Sequence, residues 1–306
     1  MRTVVVFPGQ GAQYVGMVSQ LVADEPIVAE TLAQADRALA QPLSEWIGKG
    51  PATQLAATPI TQPAVLAVSV ALWRLLQQRQ PGLEPIAAAG HSLGEYSALV
   101  AADALDFEDA IRLVHLRGTL MQDAMPAGHG GMAAILGLDA ERVEALCQEH
   151  SGDDLLQAAC YNGPGQIVVA GHRSALLRLA AAAEEAGCRG VVALDVSAPF
   201  HTPLLDSAGR GLAEALDEIE IRPPRFPVTQ NVDAQPSSDP ATIRAKLVRQ
   251  VTEPVRWEAC ARQLLTLQPD RAVEVGPGST ISGLFRRVAR RFPVIPLDRT
   301  DAWERL

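Results

Sequence analysis

The chain has 306 residues, 48% of them hydrophobic and 20% charged, which excludes a disordered tail or a fibrous repeat and allows one large domain or a large domain with a smaller insert. Its net charge of −9 argues against nucleic acid as the main partner, because phosphate backbones are held by clustered Lys and Arg. Four scattered cysteines without a C-x-x-C pair, no apolar run near the ~20 residues of a membrane span, and an opening Met1 to Phe7 too short for a signal-peptide core lead to the expectation of a soluble cytoplasmic protein with reduced thiols, no metal site and no membrane partner.

Val4-Val5-Val6-Phe7 is a β-branched apolar run stopped by Pro8-Gly9, and predicts a buried strand that feeds a loop. From about Gln62 to Gln78, Val65, Val68, Leu72 and Leu76 recur at helical spacing. Ile86 to Ala89 reads as a strand running into Gly90, and Leu93 to Ala102 as the helix after it. Asp106 and Asp109 fit an N-cap and acidic first turn for a helix with Phe107, Ala110, Ile111, Val114, Gly118 and Met121 on one stripe. Between Gly130 and Val196 the pattern is self-contained: strand 132–136, helix 140–150, strands 156–160 and 166–170, helix 174–186 and strand 191–196. That β-α-β-β-α-β order is the ferredoxin-like unit. Helix 203–219, strand 226–231, helices 240–250 and 257–267, strand 271–275 and helix 280–290 then resume the α/β alternation. The expected fold is α/β, with a large subdomain at 1–125 and 197–306 and an inserted small one at 126–196.

Charge is uneven along this chain. Ala241 to Leu306 carries 12 basic and 7 acidic residues, which leaves the first 240 residues at −14. Arg286, Arg287, Arg290 and Arg291 form the densest basic cluster, and on a continuous helix their i, i+4 spacing would set two arginine pairs side by side.

Gly90-His91-Ser92-Leu93-Gly94 fits G-x-S-x-G between a strand and a helix, the context a nucleophile elbow requires. The Leu93 backbone N–H then lies at a helix N-terminus, where the dipole favours a developing oxyanion. A seryl hydroxyl needs a base. His91 is adjacent in sequence, so its side chain should diverge from that of Ser92 and support it; His201 follows the last strand of the insert, at a junction that can supply a catalytic group or an ordinary loop histidine. Arg117, one turn before Met121 on an apolar stripe, reads either as half of a structural ion pair or as a bidentate fork for a substrate carboxylate. Gly9-Gln10-Gly11-Ala12-Gln13 lacks the third glycine of a dinucleotide fingerprint, because position 14 is Tyr14, and no G-K-[ST] follows. A glycine-rich loop at a strand end can instead bring backbone N–H groups to a site. Asn162 and Asn231 are candidates either to line the cleft or to brace their turns.

Taken together these residues resemble the malonyl-CoA:acyl-carrier-protein transacylases and related acyltransferase domains of fatty-acid and polyketide synthases. The blocks that carry the resemblance run in order: Phe7 to Gln13, Gly90 to Tyr96, Arg117-Gly118 through Met121-Gln122, Asn162 to Gln166, Ser197 to His201, Gln250 through Trp257, and Glu274 to Gly278. The resemblance implies a hydrolase-like α/β core with a parallel sheet and a ferredoxin-like insert. It also implies that Ser92 is acylated by malonyl-CoA, that His201 acts as base and then acid, and that a backbone carbonyl at Gln250 orients the imidazole. The N–H groups of Gln10 and Leu93 would form the oxyanion hole, and Arg117 would clamp the malonyl carboxylate beside Met121. Phe200 and Leu93 match malonyl rather than methylmalonyl use, although stand-alone bacterial members commonly have a small residue where Phe200 lies, a lean toward polyketide-associated relatives. The partner implied is the phosphopantetheine thiol of an acidic acyl carrier protein, with a coenzyme A thioester as donor and no cofactor. The same transfer could serve a trans-acting polyketide or malonate decarboxylase system. A thioesterase or esterase, with Asp195 available near His201, and an inactive docking subunit are the rival readings.

Overall fold

The computed structural model describes residues 1–196, 198–298 and 300–306. In chain order, β1 (Thr3–Phe7) is followed by α1 (Ser19–Asp24), α2 (Pro26–Leu39), α3 (Leu43–Lys49), α4 (Ala52–Ala56) and α5 (Thr58–Arg79), then β2 (Ala87–Gly90), α6 (Gly94–Ala101) and α7 (Phe107–Asp123). Next come β3 (Gly130–Leu136), α8 (Ala140–Ser151), β4 (Leu156–Gly163), β5 (Gln166–His172), α9 (Arg173–Glu185) and β6 (Gly190–Ala193). A 3-10 turn (Pro203–Leu205) leads to α10 (Asp206–Asp217), β7 (Val228–Thr229), α11 (Pro240–Thr252), α12 (Trp257–Thr266), β8 (Arg271–Glu274), α13 (Thr280–Val288), β9 (Val294–Pro296) and a closing 3-10 segment (Thr300–Arg305).

Two sheets organise these elements. The first has the order β7-β2-β1-β8-β9 and is parallel throughout; the second, β4-β5-β3-β6, is antiparallel. All five residues of β1 and all four of β2 and β8 are buried, as expected of parallel strands covered on both faces. In the antiparallel sheet the side chains alternate. Ala133, Ile135, Ala158, Ile167 and Val169 pack on α8 and α9, whereas Met132, Ala134, Cys160 and Val168 face the main core. The small subdomain is therefore fastened to the large one by one apolar sheet face.

At the centre lies α5. Its four-residue stripe is buried as the sequence predicts, but so are Ala64, Leu66, Ala67, Val70, Ala71 and Leu75, so the helix is a core element wrapped on all sides and not an amphipathic one. It is long and apolar enough to cross a membrane by composition, yet 89% of that window is buried inside the protein. Pro63 lacks the N–H that would bond to Pro59, and the Pro59 carbonyl accepts instead from His115 Nδ1 at 2.8 Å.

Several predicted elements differ from the structure. Strand 191–196 becomes Gly190–Ala193, and strand 156–160 runs on to Gly163. Strand 226–231 shrinks to Val228–Thr229, because Pro227 has no N–H for a ladder and Gln230 and Asn231 turn away to bind Glu95. Helix 203–219 opens with a 3-10 turn before α10. Helix α13 ends at Val288, so Arg290 and Arg291 lie beyond it and the two i, i+4 arginine pairs do not form. What holds α13 is Glu274, whose buried carboxylate accepts from the Ile281 and Ser282 N–H groups and from Ser282 Oγ at 2.6 to 2.9 Å.

Behind the turn after β2, the two glycines of G-x-S-x-G are pressed together: a Cβ on Gly90 would fall 1.9 Å from the Gly94 carbonyl carbon. Gly90→Ala should therefore destabilise the fold by about 2 kcal/mol or more, since backbone has to move to admit one methyl group. Thermal melting of the variant checks this; a melting temperature equal to that of the parent protein contradicts it.

Candidate active site

Ser92 stands on the turn between β2 and α6 with φ +50, in the left-handed region that a non-glycine residue enters at a cost of roughly 1–2 kcal/mol. Its two peptide groups are pinned there. The Ser92 N–H donates to Asn231 Oδ1 at 2.7 Å, and its carbonyl accepts from Gln250 Nε2 at 3.1 Å. Asn231 Nδ2 also donates to the Gly90 carbonyl, so one amide spans the elbow from below. Asn231 is fully buried and lies beneath the elbow, not in the cleft wall; of its two sequence readings the structure supports the brace and corrects the substrate contact.

His201 sits on the loop after the small subdomain with φ +62 and is 3% exposed. Its Nε2 lies 2.9 Å from Ser92 Oγ, and its Nδ1 lies 2.7 Å from the Gln250 carbonyl. A carbonyl only accepts, so Nδ1 carries the proton and Nε2 is free to receive the one on Ser92. Asp195 is exposed and makes no contact with the imidazole; among the described residues the orienting group is the Gln250 carbonyl, without a carboxylate. Burial, and next the Arg117 charge, hold His201 down at about 3, so the ring is neutral across the physiological range.

Arg117, on α7, is 1% exposed and points at the same oxygen, with Nη2 at 3.2 Å from Ser92 Oγ. Nη1 donates to Gln62 Oε1 at 2.7 Å and Nη2 to Gln250 Oε1 at 2.9 Å, while the ring of Tyr96 lies 5.4 Å from the guanidinium carbon. Each of these hydrogen-bond partners is neutral, and among the described residues no carboxylate pairs with this arginine. The structural ion pair is thereby set aside, since a buried cation held by neutral oxygens is a site prepared for an anion.

A cavity of about 240 Å³ opens over these groups, between the two subdomains. Gly9, Gln10, Ser92, Leu93, Arg117 and His201 line one side, Met132, Ala134, Cys160 and Val168 the other, and Ile281 and Leu284 of α13 close it. Met121 and Phe200 are in its wall, as expected, and Asn162 lines it while its Oδ1 lies 2.7 Å from His91 Nε2. His91 thus diverges from Ser92 and supports the elbow across the subdomain boundary, with its ring against Trp257. Gln10 is anchored through Nε2 to Thr58 Oγ1. Ser197, at the start of the block that ends in His201, lies outside the described residues.

Two groups in this network were not found in the sequence. Gln62 is a fully buried amide on a helix whose buried side chains are mostly apolar, and such a group must be satisfied, so its position is itself a signal. Glu95 is fully buried behind the elbow, accepting from the Asn231 N–H at 2.8 Å, Gln250 Nε2 at 2.9 Å and Gln230 Nε2 at 3.3 Å. Burial pushes its carboxyl up to about 7.

A seryl oxygen on a strand-turn-helix elbow, with a neutral imidazole and a guanidinium converging on it, is the equipment of an acyl-transfer enzyme. Comparison with known proteins agrees. The Acyl transferase domain family matches residues 4–293. The malonyl CoA-acyl carrier protein transacylase of Salmonella typhimurium is 45% identical over 283 residues, 92% of this chain and 91% of that one. The solved transacylase of the same name from Coxiella burnetii superposes with a TM-score of 0.97 at 38% identity, over 100% of this chain and 96% of the other. A malonyl-transacylase solved in complex with its type II polyketide synthase acyl-carrier protein gives a TM-score of 0.97 at 40% identity, over 99% and 98% of the two chains. The chain belongs to the acyl transferase domain family.

The His201 ring should show no titration between pH 5 and pH 8 in the empty enzyme when followed by its NMR side-chain resonances. A midpoint near the ordinary histidine value of about 6.5 would contradict the buried, cation-facing environment described here.

Proposed function

We propose that this chain moves a malonyl group from malonyl-CoA to the phosphopantetheine thiol of an acyl carrier protein, through an ester on Ser92. The observation that carries the reading is the meeting of His201 Nε2 and Arg117 Nη2 on one seryl oxygen. In the first half-reaction the Ser92 oxygen attacks the thioester carbonyl while His201 Nε2 takes its proton; the carbonyl oxygen, now an oxyanion, lies toward the backbone N–H groups of Gln10 and Leu93. Collapse expels the coenzyme A thiolate, which takes the proton back from His201. The carrier thiol reverses these steps. Thioester is exchanged for ester and ester for thioester, so the balance needs neither a redox cofactor nor a metal.

Arg117 makes the reaction selective. An acetyl group would leave the guanidinium facing the cavity without an anion, whereas the malonyl carboxylate gives it a charged partner, and a charged hydrogen bond discriminates more strongly than a methylene would. The same carboxylate offsets the cation that depresses His201, so the substrate that fits also makes its base stronger. Phe200 and Met121 bound the acyl pocket.

In the arginine cluster at 286–291, Arg286 and Arg287 project from the exposed side of α13, whose opposite side lines the cavity; Arg290 and Arg291 are exposed in the following turn. An acidic carrier would approach along this rim, delivering its thiol past Ile281 and Leu284. One of the relatives named above is solved with a polyketide-synthase carrier protein, and the supply of malonyl units to fatty-acid or polyketide synthesis fits this chain. Four unpaired thiols suit a cytoplasmic setting.

Intact-mass analysis after incubation with malonyl-CoA should show one malonyl adduct, absent in Ser92→Ala. In Arg117→Ala the malonyl adduct should form at least ~10²-fold more slowly, with acetyl-CoA gaining relative to malonyl-CoA. An adduct that persists in Ser92→Ala, or free malonate released faster than it reaches a carrier thiol, would contradict the assignment.

A further inference from the structure

Arg117 and Glu95 are both fully buried, opposite in charge, and not in contact with one another. Between them stands the side-chain amide of Gln250, which donates through Nε2 to Glu95 Oε2 at 2.9 Å and accepts through Oε1 from Arg117 Nη2 at 2.9 Å. The amide cannot turn over without setting its NH2 against the guanidinium, because Ser92 O and Asn231 Oδ1 also receive Nε2. Among the described residues Glu95 in turn accepts from three donors and from no cation. Carboxylate, amide and guanidinium thus form a rigid row with the open end of the fork toward the cavity.

We propose that Glu95 is the counter-charge of Arg117, set one amide away so that the guanidinium stays open to the substrate carboxylate, and that it limits how tightly that carboxylate is held. This rests on the malonyl reading of the site. The charge arithmetic gives the direction of the effect. With Glu95 ionised, Arg117 and Glu95 sum to zero in the empty site and to −1 once a malonyl carboxylate enters; without the Glu95 charge, the sums are +1 and 0. Glu95 therefore stabilises the empty site and opposes the loaded one. For a transferase that has to release the same group it recognises, this opposition favours turnover.

The variant Glu95→Gln removes the charge while keeping the bonds within reach, since Gln230 Oε1 is buried without a partner and the Gln230 amide can turn to accept from the new one. E95Q should lower the KM for malonyl-CoA about three- to tenfold, as a full Coulomb coupling across an amide is diluted by the part-protonated carboxyl, and should lower kcat with it. The KM for acetyl-CoA, which brings no carboxylate, should not follow, and Glu95→Asp, which keeps the charge, should restore the malonyl-CoA KM toward the parent value. An equal rise in KM for both thioesters, or no change in either, overturns the proposal.

Free malonate provides a readout independent of transfer. It should raise the melting temperature of E95Q more than that of the parent, and an equal or smaller rise counts against the counter-charge. If the parent takes no malonyl onto Ser92, the functional reading fails while this melting comparison still tests the charge pair. A double-mutant cycle covers poor folding of E95Q: R117M/E95Q should recover stability that E95Q alone has lost, because both charges leave together. Additive losses, or failure of both variants to fold, overturn the pairing.

Discussion

One guanidinium, enclosed in protein and given no direct anionic partner among the described residues, is the constraint around which this site is arranged. Leaving a charge in such a place is costly unless its hydrogen bonds are met, and Arg117 meets two of them with the amide oxygens of Gln62 and Gln250 and a third with Ser92, while its Nε is buried without a partner among the described residues. Each helper has a second task. Gln62 lies on the buried central helix α5, so the cation is tied to the core; Gln250 presents its backbone carbonyl to His201 and its side chain to Arg117, so the proposed base and clamp are set by one residue of α11. A shift of α11 would move both together. In the proposed reaction, recognition of the acyl group and activation of the seryl oxygen are for this reason one geometric problem.

The second constraint is strain. Ser92 and His201 both hold positive φ, and each conformation persists because surrounding groups over-determine it. At Ser92 the restraint comes from β7's end, through Asn231, and from α11, through Gln250. At His201 it comes from the Gln250 carbonyl on Nδ1 and from Gln157 of β4, which donates to the His201 carbonyl at 3.2 Å. The small subdomain therefore contributes more than a lid. It fixes the base through Gln157, steadies the elbow through Asn162 and His91, and supplies the apolar wall opposite the dyad.

Much of this was readable in the residues, and the exceptions have physical causes. The G-x-S-x-G motif marks the elbow, and short-range periodicity marks the β-α-β-β-α-β insert and the helices α5 and α7, since burial on one face or on alternate positions leaves its imprint on a single segment. Residues 8–57 hold four helices outside the predicted elements: three have five to seven residues, too short to express a stripe, and the fourth is the 14-residue α2. Strand β7, with two residues, is defined by its neighbour β2 more than by its own composition. The resemblance to acyltransferases placed Ser92, His201, Arg117 and the Gln250 carbonyl, all of which the structure brings to one point. It did not decide between the two readings of Asn231, or show that Gln62 and Glu95 complete the arginine's surroundings, because those roles depend on contacts between segments 55 to 158 positions apart.

A crystal structure of the malonyl-Ser92 ester, trapped by omitting any acceptor thiol, would test the account most directly. The malonyl carboxylate should lie within hydrogen-bond distance of both Arg117 terminal nitrogens, with the ester carbonyl oxygen toward the Gln10 and Leu93 backbone N–H groups. An acyl chain whose carboxylate points to solvent, with Arg117 still bonded only to Gln62 and Gln250, would contradict it.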